Sequence, residues 1–168
     1  MNSSPSIPTT PWLSEDECNR IESLIAPLAG QYETKPAHWI HGHDEGLSYC
    51  PACALAEIAR LQSDHPDREY DLDGGWGIEG DGLEYCEICE HPLNNHLTRY
   101  GAECELEAFE EEGFDLTSQY QCYALSRILD SHGFGPYAYL PGSPFELQQR
   151  HKFYSRLHAL CRSILAAN

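Results

Sequence analysis

Two short cysteine pairs are the residues of this sequence whose type and spacing fit a chemical site most clearly. Cys50 and Cys53 form the first pair, and Cys86 and Cys89 repeat the same spacing after a gap of 32 residues. Two residues between cysteines let both sulfurs face one point from a tight turn, and two such turns supply the four corners of a tetrahedral zinc site. The spacing therefore predicts one structural zinc ion bound by all four cysteines.

Other chemistries of the same pairs stay open. A cysteine pair at the start of a helix is also typical of thioredoxin-like redox sites, because the helix N-terminus lowers the pKa of the first thiol. Only Leu47 and Tyr49 are apolar where such a site needs a preceding strand, and the second pair would then have no role. Disulfides are disfavoured because the N-terminus does not resemble a signal peptide and the expected compartment, the cytosol, is reducing. An iron–sulfur cluster is a further alternative.

The two pairs resemble the knuckles of zinc-ribbon and treble-clef modules, in which four cysteines hold one zinc ion. The resemblance covers only Cys50-Pro-Ala-Cys53 and Cys86-Glu-Ile-Cys89. Neither pair is followed by the glycine usual in ribbons, and the pair that opens a helix comes first, against the treble-clef order. The resemblance thus implies a structural zinc ion and no particular function.

A histidine cluster just before the first pair is the main candidate for catalysis. His41 and His43, with His38 shortly before them and Asp44 and Glu45 directly after, offer the residue types of a catalytic zinc site. Such a site needs about three protein ligands, an open position for water and a carboxylate base. The sequence therefore keeps a zinc-dependent hydrolase as the alternative function, with His38, His41 or His43 as ligands and Asp44 or Glu45 as the base.

Further ligands are compatible with the spacing but are not specified by it. His91, His96 and Cys104 follow the second pair closely enough to replace a cysteine in the zinc site or to build a second site. Neither a phosphate-binding loop of the Walker type nor a nucleophile elbow occurs in the sequence. The common nucleotide-dependent and serine-hydrolase activities therefore have no local support.

The periodic segments that must position these residues predict an α+β fold, mostly helical, with a small hairpin or sheet at the zinc site. Capping boxes at Ser14–Glu17 and Ser143–Glu146 begin the first and last helices. Apolar spacing and stop signals place the helices at 15–28, 54–62, 102–112, 118–131 and from 143 onward, the last being amphipathic. Residues 31–48 are predicted as loop with a short strand, 63–82 as an irregular exposed segment or the turns of a small sheet, and 93–100 as the hairpin partner of 83–85.

Charge is large and unevenly distributed. The chain of 168 residues has a formal net charge of −17, and residues 64–115 hold 17 Asp or Glu against two Arg. Such a field repels phosphate backbones, so direct nucleic-acid binding is disfavoured, whereas a basic protein partner is favoured.

Taken together, these features predict a zinc-stabilised, strongly acidic protein-binding module. Residues 1–13 are expected to be a flexible tail and 14–168 a single domain. We expect an inhibitor or adaptor that mimics nucleic-acid charge toward a basic nucleic-acid-handling protein, for example one of a host-defence complex. No membrane contact is expected, since no stretch of about 18 apolar residues occurs; a homodimer stays open.

Overall fold

A computed structural model describes residues 12–43, 46–75, 79–135 and 142–168. These residues fall into two compact units. The central unit is Ile25–Gly133, and the terminal unit contains the described residues of Met1–Leu24 and Phe134–Asn168. The predicted flexible tail lies almost entirely outside the described residues, and the single domain over 14–168 stays a prediction.

The described elements confirm a mostly helical α+β fold. The helices are α1 (Glu15–Ala29), α2 (Pro51–Asp64), α3 (Arg99–Glu112), α4 (Gln119–His132) and α5 (Pro144–Ala167). The strands are β1 (Lys35–His41), β2 (Asp71–Gly75), β3 (Glu79–Gly80), β4 (Leu93–Asn94) and β5 (His96–Leu97). No described helix is both long enough and apolar enough to cross a membrane.

Local capping explains why the observed helix ends lie close to those predicted from the sequence. The Ser143 N–H donates to the Glu146 carboxylate at 2.6 Å and the Glu146 N–H donates to the Ser143 hydroxyl at 3.3 Å, which confirms the predicted capping box of α5. Ser14 and Glu17 form the same reciprocal pair at α1. Gly113 and Gly133, both with positive φ, end α3 and α4 as predicted.

The sheet is organised around β1, which is longer than the short strand predicted for 31–48. β2 pairs with it antiparallel, with Trp39 opposite Asp73, and β4 pairs with it parallel, with Lys35 opposite Leu93. A hairpin at the second cysteine pair is confirmed by the bonds from Leu93 N–H to the Glu84 carbonyl and from Cys86 N–H to the His91 carbonyl.

The extension of that hairpin to residue 100 was wrong. β4 leaves the hairpin to pair with β1, and β5 pairs in parallel with β3. Arg99 already begins α3, where Thr98 is the N-cap and accepts a hydrogen bond from the Gly101 N–H. The strand signal ends earlier than predicted because these partners are distant in sequence, and local alternation carries no information about them.

The core around β1 contains the cysteines. Apolar side chains from β1, α2 and the hairpin at the second cysteine pair pack together and bury Cys50 and Cys86, each of which is 1% exposed. The buried members of this core are Ala37, Ile40, Tyr49, Cys50, Ala54, Leu61, Tyr70, Cys86 and Leu93. The Cys50 and Cys86 side chains are therefore part of the hydrophobic core of the central unit, whereas Cys53 is partly buried and Cys89 is exposed.

In the terminal unit, one buried histidine connects three segments. His158, on the buried face of α5, accepts a hydrogen bond at Nδ1 from the Leu13 N–H at 3.2 Å. Because a backbone N–H can only donate, the neutral ring carries its proton on Nε2, which lies 2.6 Å from the Phe134 carbonyl oxygen. The Trp12 ring packs edge-on against it at 4.9 Å. Burial lowers the pKa of His158, and the hydrogen bond to Phe134 opposes this effect.

We expect the terminal unit to lose stability in mild acid through His158. Its pKa is lowered on folding, so the stabilising contribution of the neutral ring is fully present above the ordinary pKa of 6.5 and is lost as the pH falls through the folded-state value. Glu17 and Arg162 are the charged groups that act on the ring, in opposite directions. Urea unfolding at pH 7.5 and pH 5.5 measures the effect, which His158→Gln should reduce. His96→Gln, which changes an exposed histidine, is the control. If the free energy of unfolding depends on pH equally strongly in His158→Gln and in this control, the assigned role of His158 is contradicted.

Candidate metal centre

The four predicted cysteines converge on one point. All four sulfur atoms lie within 4.8 Å of one another, which is compatible with a bound metal ion. The Cys50 and Cys89 sulfurs are 3.8 Å apart, far beyond the bond length of about 2.05 Å in a disulfide. All eight cysteines of the sequence lie in the described part of the chain, and each is a free thiol. That these four bind zinc stays a prediction.

The first pair is positioned where a strand meets a helix. Tyr49 exchanges backbone hydrogen bonds with His38 of β1, at 2.7 and 2.9 Å, which fixes the chain just before Cys50. Cys50 is the N-cap of α2, and Pro51 takes the first helical position, which suits its fixed φ. Cys53 then lies in the first turn of α2.

The second pair lies in a tight turn attached to the first. The Glu90 N–H donates to the Cys86 carbonyl at 2.8 Å and closes the turn, and the Glu87 N–H donates to the Ser48 carbonyl at 2.9 Å. The Ser48 hydroxyl also hydrogen-bonds to the Glu84 carboxylate. Two direct links therefore hold the segments in register, and Ser48 and Glu84 carry no motif that could have identified them in the sequence.

Backbone N–H groups favour a negative charge on one of the four sulfurs. Burial raises the pKa of Cys86, but the N–H groups of Cys50, Cys89 and Ile88 outweigh it and lower that pKa to about 6. The hydrogen bond to Cys50, followed by burial, raises the pKa of Cys53 to about 12. Negative charges on sulfurs this close together repel one another, and a bound cation would allow all four to be thiolates.

The missing glycines now have a structural explanation. Glu90, directly after Cys89, has a φ of 55° and is the one non-glycine residue with positive φ in the described part of the chain. It takes the left-handed conformation for which glycine is suited. Ala54, directly after Cys53, is instead a buried helical residue whose N–H donates to the Cys50 carbonyl at 2.9 Å. No glycine is needed there because the first pair begins a helix.

The histidines before the first pair do not join the cysteines. His38 Nδ1 lies 3.1 Å from the Asp73 carbonyl oxygen, and His41 Nε2 lies 3.0 Å from the Asp73 carboxylate. His43 Nε2 is 3.7 Å from the Glu57 carboxylate. Asp44 and Glu45 lie outside the described residues. Within the described ranges, the four cysteines are the one group of three or more such ligands that converges.

The other proposed ligands also stand apart from this group. Cys104 is exposed on α3, where its hydrogen bond to Tyr100, one turn earlier, raises the pKa of that tyrosine. His91 supplies only its backbone carbonyl to the second knuckle, and His96 is exposed in β5. Replacement of a cysteine by one of these residues therefore gains no support from the arrangement of the described residues.

Comparisons with known protein families, with curated proteins and with solved structures gave no match.

We expect Glu90→Gly to stabilise the central unit. The left-handed conformation costs a non-glycine residue about 1–2 kcal/mol, and the greater freedom of glycine in the unfolded chain cancels part of the gain. The free energy of unfolding should therefore rise by about 0.5–1 kcal/mol. Ala54→Gly is the matched variant after the other pair and should lower it by about 1 kcal/mol or more, since it places glycine inside a helix. Urea unfolding followed by circular dichroism measures both, and a loss of stability in both variants would contradict the assigned turn.

Proposed function

We propose that this protein is a binding protein whose central unit is held together by one structural zinc ion and presents carboxylates to a basic partner. Cys50, Cys53, Cys86 and Cys89 would be the zinc ligands. The proposed partner is a nucleic-acid-handling protein, for example of a host-defence complex, toward which the carboxylates mimic phosphates. The protein would then act as an inhibitor or adaptor.

The sulfur geometry supports zinc as the metal. A tetrahedron with zinc–sulfur bonds of about 2.3 Å has sulfur–sulfur edges of about 3.8 Å, and the Cys50 and Cys89 sulfurs are 3.8 Å apart. Four thiolate ligands leave no open position for water or substrate, which is the pattern of a structural site. The location of Cys50 and Cys86 in the core points the same way, because a metal ion there connects β1, α2 and the second knuckle.

The distribution of charge is the observation that carries the binding function. By sequence, the central unit contains 22 Asp or Glu against five Lys or Arg, whereas the terminal unit contains five of each. The central unit thus accounts for the whole net charge of −17. Of the 17 carboxylates in residues 64–115, 14 are exposed, and only Glu84, Glu103 and Glu105 are half-buried. The 14 exposed carboxylates therefore lie at the surface, where a basic partner can reach them.

Helix α3 gives part of this charge a regular spacing. Its buried face contains Leu106 and Phe109, while Glu107 and Glu111 lie one turn apart on the exposed side. Residues four apart on a helix are separated by about 6 Å along its axis and are neighbours on one face, so one basic surface can contact both carboxylates. A protein surface that displaces counterions from phosphates can do the same on such a row of carboxylates.

We expect protein purified without chelator to carry a single zinc ion per chain. Cys50→Ser and Cys86→Ser should each lose the ion together with the fold of the central unit, because removal of one thiolate opens the site and leaves polar atoms in the core. Native mass spectrometry combined with circular dichroism measures metal content, fold and oligomeric state. Cys104→Ser, which changes an exposed cysteine outside the group, is the control and should keep the ion. A folded Cys86→Ser variant without metal would contradict a structural role.

We expect neutralisation of part of the acidic surface, the exposed carboxylates of residues 64–115, to weaken charge-driven binding. The test variant carries Gln at Glu110, Glu111 and Glu112 and Asn at Asp71 and Asp73. Its affinity for an oligo-arginine peptide should fall at least about tenfold, and the dependence of binding on salt should weaken, since fewer counterions are exchanged. Fluorescence anisotropy of the labelled peptide over a range of salt concentrations measures the affinity and its dependence on salt. The proposed mimicry of phosphates is tested by whether the protein displaces the peptide from a short DNA duplex.

A charge-matched pair of variants separates the acidic surface from net charge. Glu111→Gln with Glu112→Gln removes two charges from the central unit, and Glu15→Gln with Glu22→Gln removes two exposed charges from α1 in the terminal unit. The first double variant should weaken peptide binding more than the second. Equal losses would show that total charge alone determines binding and would contradict the proposed surface.

A further inference from the structure

Four tyrosines form a cluster on the central unit, between the chain that follows α1, the second knuckle and α4. The ring of Tyr32 stacks on the ring of Tyr123, with 4.7 Å between the ring centres. The ring of Tyr120 packs edge-on against the ring of Tyr32, with 6.1 Å between the ring centres. The Tyr32 and Tyr85 hydroxyls are 3.2 Å apart. Tyr85 and Tyr120 are 46% and 38% exposed. This tyrosine cluster is therefore open to solvent on the side of Tyr85 and Tyr120.

A half-buried carboxylate lies at the edge of the tyrosine cluster. Glu105 of α3 accepts hydrogen bonds from the Tyr120 hydroxyl at 3.3 and 3.5 Å. Burial raises the pKa of Glu105, which the hydrogen bond from Tyr120 only partly opposes. Among the described residues, no Lys, Arg or His forms an ion pair with this carboxylate. The positive charge that usually accompanies a carboxylate removed from water is thus not supplied at this edge by the described chain.

Neighbouring groups show how this carboxylate differs from others in the unit. Glu103, two residues earlier on α3, pairs with Arg99 at 2.9 Å. The Arg127 guanidinium lies 5.4 Å from the ring centre of Tyr123, at the buried end of the tyrosine cluster, and hydrogen-bonds to Asn94 and Asp130. One tyrosine of the cluster therefore already contacts a guanidinium, while the carboxylate at the open end lacks one.

We propose that Glu105 and the tyrosine cluster form a receptor site for one arginine side chain of the basic partner. The inference rests on the proposed function for its partner and assigns a specific contact to it. The guanidinium would lie against the exposed ring of Tyr120 and donate to the Glu105 carboxylate and to the hydroxyl oxygens of Tyr32 and Tyr85.

The chemistry of the site favours arginine over lysine. A guanidinium is planar, stacks on aromatic rings and donates several hydrogen bonds in a fixed arrangement, so it can contact a ring face, a carboxylate and phenol oxygens at once. An ammonium group is compact and strongly hydrated, and it loses more solvation on entering a half-buried site. A charge-assisted bond to a partly desolvated carboxylate is also stronger than one to an exposed carboxylate.

The test compares two single-charge variants of the central unit. Glu105→Gln removes the carboxylate of the site, and Glu33→Gln removes an exposed carboxylate directly after Tyr32. We expect Glu105→Gln to weaken binding of an oligo-arginine peptide about tenfold, and Glu33→Gln about twofold or less. An oligo-lysine peptide of equal charge should show a smaller difference between the variants. Because burial disfavours the charged form of Glu105, Glu105→Gln should stay folded, which thermal unfolding checks.

A second measurement locates the contact directly. Addition of N-acetyl-arginine amide to the wild-type protein should shift the ring proton NMR signals of Tyr32, Tyr85 and Tyr120, and Glu105→Gln or Tyr120→Phe should reduce these shifts. Equal weakening of peptide binding by Glu105→Gln and Glu33→Gln, or ring signals that do not respond, would overturn the receptor site and leave charge-driven binding intact. Peptide binding by the wild type that is absent or insensitive to salt would overturn the proposed function itself.

Discussion

The central unit depends on bringing four sulfur atoms to one point at the edge of a hydrophobic core. Cys53 and Cys86 are separated by 32 residues, so closing this part of the chain costs conformational entropy that local structure does not recover. The order of elements follows from this requirement. β1 fixes the chain before Cys50, α2 begins at the pair itself, and the second knuckle attaches through the carbonyl and hydroxyl of Ser48. Without a cation, like charges on sulfurs so close together would oppose the same arrangement.

The parts of the fold that local chemistry determines could be predicted from the sequence. Capping boxes and terminal glycines set the bounds of α1, α3, α4 and α5 to within about three residues, because these signals act within one turn of the helix end. The cysteine group could be predicted for a similar reason, since a spacing of two residues dictates where both sulfurs of a pair point. Residues that act through short-range geometry are thus visible in the sequence.

Features that arise between distant segments could not be predicted. Only a short strand was expected within 31–48 because the sequence there has no clear period. In the structure only Ala37 and Ile40 of the seven residues of β1 are buried, so one face carries little apolar signal. The length of β1 is determined by β2 and β4, which lie on either side and come from two separate parts of the chain. The same holds for Glu105, whose hydrogen-bond partner Tyr120 comes from α4 and belongs to a cluster with tyrosines from the chain after α1 and from the second knuckle. Glu90 is a different case, because its positive φ is a local feature for which the usual signal, glycine, is absent.

The second knuckle connects the two parts of the proposed function. Tyr85 directly precedes Cys86, so the residue that opens the tyrosine cluster to solvent is fixed by the turn that contributes two sulfurs. Any ligand that binds only the folded knuckle stabilises it, and the same free energy must appear as tighter metal binding when that ligand is present. In the proposed function, zinc and the basic partner would therefore reinforce each other although the metal touches no partner residue. The net charge of the central unit would strengthen this coupling, because its carboxylates repel one another in the absence of the proposed cationic partner.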